Sequence, residues 1–357
     1  MDVFAKITGI KYTPFLCRSM NQYNISDIDL ALSRDATFIL NVQRDKQIAL
    51  SWWVSPKRTR SYPYARVYDS LNFQGKKATI IPILKDEGKG GDRDFLQWDT
   101  VSLMSLLGVY VIICYYKSAE RSLRYRNKIT NQRFDIQYTE KQLNNILSYQ
   151  SDALHWNLAQ VEKVGEIAQR ALDAYKKISE ELGVEMHSEE SARKRVDELL
   201  KGKETFMRLS RELAEKAQYR ESITIQPKEW LSGTKATLTI KNYLGGYYFF
   251  TCDEVHIEKG TIYLIESKHS KRSFLPSLED IKDGLVKMIL FANLKEVKVG
   301  TTEYISAPIL KLTSNLRFSS NKLKKSQIGY LRLLKKEAEE NNFQVLINNK
   351  NLEEISL

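Results

Sequence analysis

The sequence predicts a mixed α/β (α+β) protein. A mixed central sheet flanked by helices forms its core, with a helical hairpin or bundle as an insertion and an N-terminal α/β region. Three observations predict this. Of 357 residues, 42% are apolar and 28% charged, the balance of a folded chain long enough for more than one core. Strand-like runs dominate both ends of the chain. Between them, from 139 to 222, apolar residues recur at steps of three and four.

Residues 1–138 read as the N-terminal mixed α/β region. "IALSWWV" and "KATIIPIL" have the apolar, β-branched character of strands. "DEGKGGDRD" is a loop by its glycines and charges. "TVSLMSLL" fits a short helix, and "VYVIICYYK" a buried strand. Residues 139–222 are expected to form the helical region: Leu158, Val161, Val164, Ala168, Ala171, Leu172, Tyr175, Ile178 and Leu182 recur at helical spacing. Gly183 suits a helix stop, and Ser188 with the following glutamates suits a new start.

Residues 223–357 return to strands. The expected order is strand 235–241, strand 246–257, strand 261–268, helix 278–294, strand 304–313, helix 323–341 and strand 343–348. Ser277 is placed as the N-cap of the helix at 278, with Asp280 three residues on. Three meandering strands followed by strand–helix alternation predict a mixed sheet with helices packed on it.

Net charge is +11, which favours an anionic partner, nucleic acid first. Cys17, Cys114 and Cys252 are odd in number and far apart, as expected of small buried residues in a reducing compartment. The longest apolar run, "VSLMSLLGVYVIICYY", is short for a membrane helix and reads as a helix followed by a strand. The opening "MDVFAKITGI" lacks the layout of a signal peptide. No membrane association and a cytoplasmic location are expected.

The hairpin "FFTCDEVHIEKGTIYLIESKHSKR" carries charges inside an apolar pattern. A two-residue turn at Lys259-Gly260 sets Ile257 opposite Ile262, Val255 opposite Leu264, and Asp253 opposite Glu266. Directly opposed residues share a face, and Lys268 projects from it too. Two close carboxylates repel unless a cation sits between them, and oxygen ligands suit Mg²⁺. The same three charges also fit an exposed strand end with a weak salt bridge. Their place on an otherwise apolar face favours the metal-site reading.

These residues resemble the PD-(D/E)XK nuclease superfamily over residues 223 to 348. Asp253 matches its first acid, and "IESK" its acid-x-lysine motif; Cys252 stands where a proline is often found. The resemblance implies a restriction-endonuclease-like core in which Asp253 and Glu266, with the carbonyl of Ser267, bind Mg²⁺ and Lys268 serves the attacking water. An additional helical acid is often present, for which Glu212, Glu215, Glu221 and Glu229 are candidates. Within the superfamily the chain most resembles a type II restriction endonuclease, which implies double-stranded DNA as substrate, recognition by the N-terminal region and a homodimer. The alternatives are a repair, phage-defence or RNA-processing nuclease with the same core, and an inactive nucleic-acid-binding protein.

"SWWVSPKRTRSYPYARVY" gathers Lys57, Arg58, Arg60, Tyr62 and Arg66 among aromatics. Cations neutralise phosphates and aromatics stack on bases, so this stretch is expected to contact DNA. The alternative is a strand and loop with core tryptophans and solvated bases. "KHSKR" adds Lys271 and Arg272 beside the motif lysine. The acidic loop "KDEGKGGDRDFLQWD" lacks P-loop spacing and is expected to be structural, or to contact DNA or a partner subunit.

Overall fold

The computed structural model describes residues 1–43, 45–200, 234–242, 247–316 and 318–356. The chain divides into two compact units, Met1–Arg18 with Leu213–Leu357, and Ser19–Glu212. This division differs from the three-part reading of the sequence. The first strand, β1 (Asp2–Ile7), belongs to the C-terminal unit, and the helices after 135 belong with the strands that precede them.

The Ser19–Glu212 unit holds β2 (Gln22–Asn24), α1 (Ile28–Arg34), β3 (Thr37–Gln43), β4 (Lys46–Trp52), α2 (Pro63–Ser70), β5 (Lys76–Pro82), β6 (Leu84–Asp86) and β7 (Arg93–Phe95). It continues with α3 (Trp98–Leu106), β8 (Val109–Cys114), β9 (Tyr116–Arg121), β10 (Ile129–Phe134), α4 (Ile136–Ser148), α5 (Ala153–Glu162), α6 (Val164–Leu182) and α7 (Glu189–Leu200). Its five-stranded sheet runs β2-β3-β4-β5-β8. Every residue of β8 is buried, as expected for a parallel strand covered on both faces. Asn157 of α5 stitches that helix to β8: its side chain accepts from the Val111 N–H at 2.6 Å and donates to the Val109 carbonyl at 2.9 Å. Gly183 ends α6 in the left-handed conformation. The run "VYVIICYYK" breaks into two strands, with β9 pairing β10 in a separate hairpin.

The C-terminal unit adds β11 (Thr234–Asn242), β12 (Tyr247–Glu258), β13 (Thr261–Ser270), α8 (Leu278–Phe291), β14 (Lys295–Val299), β15 (Thr302–Ser314), α9 (Lys325–Glu340), β16 (Gln344–Ile347) and β17 (Lys350–Asn351). β11, β12 and β13 form an antiparallel meander. α8 then leads through β14 to β15, which lies parallel to β13. β1 pairs parallel to β11 and antiparallel to β14, and β14 pairs β15. The pairings β1–β11–β12–β13–β15–β14–β1 therefore close on themselves. β1 alternates exposed and buried residues, so Val3, Ala5 and Ile7 face the core.

Candidate active site

The β12–β13 turn is Lys259-Gly260, both with positive φ, the geometry that matches strand twist. From it the register runs Glu258–Thr261, Ile257–Ile262, Val255–Leu264 and Glu254–Ile265, as the sequence reading places it. Glu266 and Lys268 share a face with Val255 and Leu264. Glu254 turns to the opposite face, where it pairs with buried Lys311 of β15 at 3.2 Å.

The expected pair Asp253–Glu266 is not part of this ladder, whose last pair is Glu254–Ile265. Thr234 of β11 pairs with Val255 whereas Ala236 pairs with Cys252, so β12 carries one extra residue between them. Such a bulge re-aims a side chain. Here the Ser267 N–H donates to Asp253 Oδ2 at 2.8 Å, tying this carboxylate to β13. Burial pushes the Cys252 thiol well above its ordinary pKa, and the nearby charges of Glu266 and Asp253 add to the rise. The thiol bonds the carbonyls of Glu254 and Ile265 at 3.3 and 3.4 Å, contacts no proline makes.

Helix α8 completes the site. Its start is the expected capping box, with Ser277 Oγ accepting from the Asp280 N–H at 3.1 Å. Asp283 and Lys287, one turn apart on α8, both reach β13. Lys268 Nζ lies 2.6 Å from Asp283 Oδ2 and 3.1 Å from Glu266 Oε1. Lys287 Nζ lies 2.6 Å from Glu266 Oε2 and donates to the Thr251 carbonyl at 3.2 Å. The result is an alternating chain Asp283–Lys268–Glu266–Lys287, with Glu266 2% and Lys287 3% exposed. Burial acts to lower the Lys268 pKa, but Glu266 and Asp283 outweigh it and the net shift is upward. Gly284 makes the close approach of α8 possible. A Cβ there would stand 2.7 Å from Leu310 Cδ1 and 3.3 Å from Lys268 Cε.

Asp283 and Lys287 were absent from the sequence-derived site. Their signal was present: two charges four residues apart inside the apolar run "DGLVKMILF". Glu212, Glu215, Glu221 and Glu229 lie outside the described residues. Among the described residues no group of three or more His, Cys, Asp or Glu is placed to hold a metal ion. Mg²⁺ typically takes only one or two carboxylates plus waters, so Asp253, Glu266 and the Ser267 carbonyl suit it by donor type. In this arrangement an ammonium faces each oxygen of Glu266 and an amide faces Asp253 Oδ2.

Beyond Lys268 a cleft of about 660 Å³ opens between the β13–α8 loop and the start of α9. His269, Lys271, Arg272 and Lys324 line it, with Tyr330 at one side. Lys271 and Arg272 are exposed there.

The stretch from 52 to 66 is built differently from a free basic loop. Pro63 opens α2, with Tyr62 in a left-handed conformation before it and 45% exposed. Arg66 donates to the carbonyls of Trp52 at 2.9 Å and Ser61 at 3.0 Å and lies over the Trp52 ring. Burial lowers its pKa to about 10. Arg60 is bound by Glu87 at 2.6 Å, by Asp92 and by Asp94 at 3.2 Å. Both guanidinium groups are held by partners within this unit. Arg58 lies near the Tyr64 ring and Lys57 stands 3.9 Å from Asp94, more than half exposed. In the acidic loop, Asp86, Glu87 and Asp94 spend their charge on internal partners. His187 bonds Asp86 at 2.7 Å, and Lys85 and Lys128 join Arg60 at Glu87.

Comparison with family models, with curated proteins and with solved structures finds no match to this chain. Among the described residues no helix is long and apolar enough to cross a membrane.

Proposed function

We propose that the C-terminal unit is the catalytic core of a Mg²⁺-dependent double-stranded DNA endonuclease of the PD-(D/E)XK type, acting as a type II restriction enzyme. The observation that carries this reading is the gathering of Asp253, Glu266 and Lys268 where β12, β13 and α8 meet, beside a cleft lined by basic residues. The β11–β12–β13 meander, the α8 crossover and the parallel β15 support this reading, since their order agrees with the core that the resemblance implies.

Asp253, Glu266 and the Ser267 carbonyl would hold Mg²⁺, which supplies an activated water and charge neutralisation at the phosphate. Lys268 holds its ammonium between two carboxylates, so it acts as a hydrogen-bond donor that orients the water and offsets charge on the phosphorane. Asp283 and Lys287 are positioning residues: the first aims Lys268, the second fixes the Glu266 carboxylate. Lys271 and Arg272 receive the strand backbone in the cleft. A two-fold DNA site calls for a homodimer.

The test is cleavage of unmethylated phage DNA with Mg²⁺ by the wild type beside Lys268→Ala and Glu266→Ala. Discrete bands from the wild type alone are expected. DNA binding without cleavage of any nucleic acid by the wild type would overturn the enzyme reading and leave a binding protein.

A further inference from the structure

The β9–β10 hairpin ends in "RSLRYRNK", residues 121–128, which contains no acid. Leu123 is 104% and Tyr125 59% exposed, and Arg121, Arg124 and Arg126 are exposed beside them. None of these three arginines has an ion-pair partner among the described residues, whereas Arg60 and Arg66 of the same unit are fully engaged. The uncovered leucine and tyrosine stand among arginines at one tip, an apolar point ringed by cationic groups.

The tip is braced from behind. The Ser122 N–H donates to the Lys128 carbonyl at 2.9 Å, and Ser122 Oγ accepts from the N–H groups of Arg124 and Tyr125, each at 3.3 Å. The Gly90 N–H donates to the Asn127 carbonyl at 2.7 Å, and the Ile129 N–H to the Glu87 carbonyl at 2.9 Å. Lys128 Nζ is 2.9 Å from Glu87. Gly88 has φ +87°, and a Cβ there would meet the Asn127 carbonyl oxygen at 2.7 Å. The glycine-rich acidic loop is thus a socket for the hairpin. Its glycines admit the Asn127 backbone and Glu87 neutralises the lysine at the hairpin's base.

We propose that this tip is a duplex-DNA contact element in which Arg121, Arg124 and Arg126 bind phosphates and Leu123 and Tyr125 enter a groove. Arginines around an apolar wedge are the chemistry of proteins that press a side chain between base steps, and a wedge needs rigid backing. Two apolar side chains give too little buried area for a membrane anchor. The inference rests on DNA as the partner of the proposed nuclease, but not on the chemistry at Glu266.

The test uses the full chain in EDTA, with fluorescence anisotropy of a labelled duplex across a salt series. Replacing all three arginines by alanine is expected to weaken binding by on the order of tenfold or more and to lower the salt slope by about 0.9 per lost phosphate contact. Leu123→Ala with Tyr125→Ala is expected to weaken binding while leaving that slope unchanged. All five residues are exposed, so unchanged circular dichroism is expected in both variants. Wild-type affinity and slope in both variants would overturn the element and leave the nuclease reading standing. Failure of the wild type to bind duplex DNA, or binding to anionic vesicles in its place, would overturn both. Tip-dependent binding by a chain that cleaves nothing would uphold the element and overturn the nuclease.

Discussion

Lys287→Met tests the buried half of the site. Methionine keeps most of the stem volume and removes the ammonium that sits 2.6 Å from Glu266 Oε2 and 3.2 Å from the Thr251 carbonyl. Both partners are almost fully buried, so water cannot replace the lost contact. Glu266 would keep only Lys268 of this pair, which it shares with Asp283. Breaking a buried ion pair on one side costs about 3–5 kcal/mol, a large part of the roughly 5–15 kcal/mol that holds a domain folded. Glu266→Gln alone is expected to cost a similar amount, because two ammonium groups are then left facing a neutral amide. The double variant removes both sides of the pair and should cost less than the sum, with a coupling on the order of 2–3 kcal/mol. Urea unfolding followed by circular dichroism measures all four corners of the cycle. Single variants that each cost under about 1 kcal/mol, or costs that simply add, would refute a coupled buried pair.

Gly284→Ala sets two effects against each other. Alanine improves helix propensity by about 1 kcal/mol, but its Cβ would press on buried Leu310 and on the Lys268 stem, an overpacking cost of about 1–3 kcal/mol. A lower Tm and a larger loss of cleavage are expected; a higher Tm with full cleavage would count against the close approach. In the other unit, burial acts to raise the Glu87 pKa, but Lys128, Lys85 and Arg60 bring it down to about 2. Its folded pKa is thus depressed, so its stabilisation is complete above about pH 4.5 and is lost as pH falls toward 2. Tm against pH for the wild type beside Glu87→Gln should show a steeper acid limb in the wild type; parallel curves would contradict the assignment.

Much of the C-terminal unit was legible because its signals are local. The Lys-Gly turn fixed the register, the alternation of Val255, Ile257, Ile262 and Leu264 fixed the face, and Ser277 with Asp280 fixed the helix start. What escaped is long-range. β1 has a clear alternating pattern, but nothing near it in sequence says that its partner is β11, more than two hundred residues away. The bulge at Asp253 comes from the register against β11, not from the hairpin's own residues. In the basic stretch from 52 to 66, composition does not tell a solvated arginine from one bound, as Arg60 is, by Glu87 and Asp94. Arg124 and Arg126 look no more cationic in sequence than Arg60. Only the pairing of β9 with β10 leaves them uncovered.

The alternation of charge along Asp283–Lys268–Glu266–Lys287 bears on how the site folds. Like charges are kept apart and each carboxylate in the chain meets an ammonium, so the cluster closes without an ion to cement it. A domain built around a structural metal behaves otherwise, since its binding energy is its folding energy. Stripping divalent cations with a chelator is therefore expected to leave the Tm of this protein unchanged while abolishing cleavage. The same lysine contact sets a condition on activity, because a cation reaching Glu266 Oε1 competes with Lys268 at 3.1 Å. Asp283→Asn loosens the other hold on Lys268 and should change the Mg²⁺ concentration needed for half-maximal cleavage more than it changes DNA affinity. A large fall in Tm on chelation would refute the self-neutralised site, and an unaltered Mg²⁺ requirement in Asp283→Asn would separate Asp283 from the chemistry.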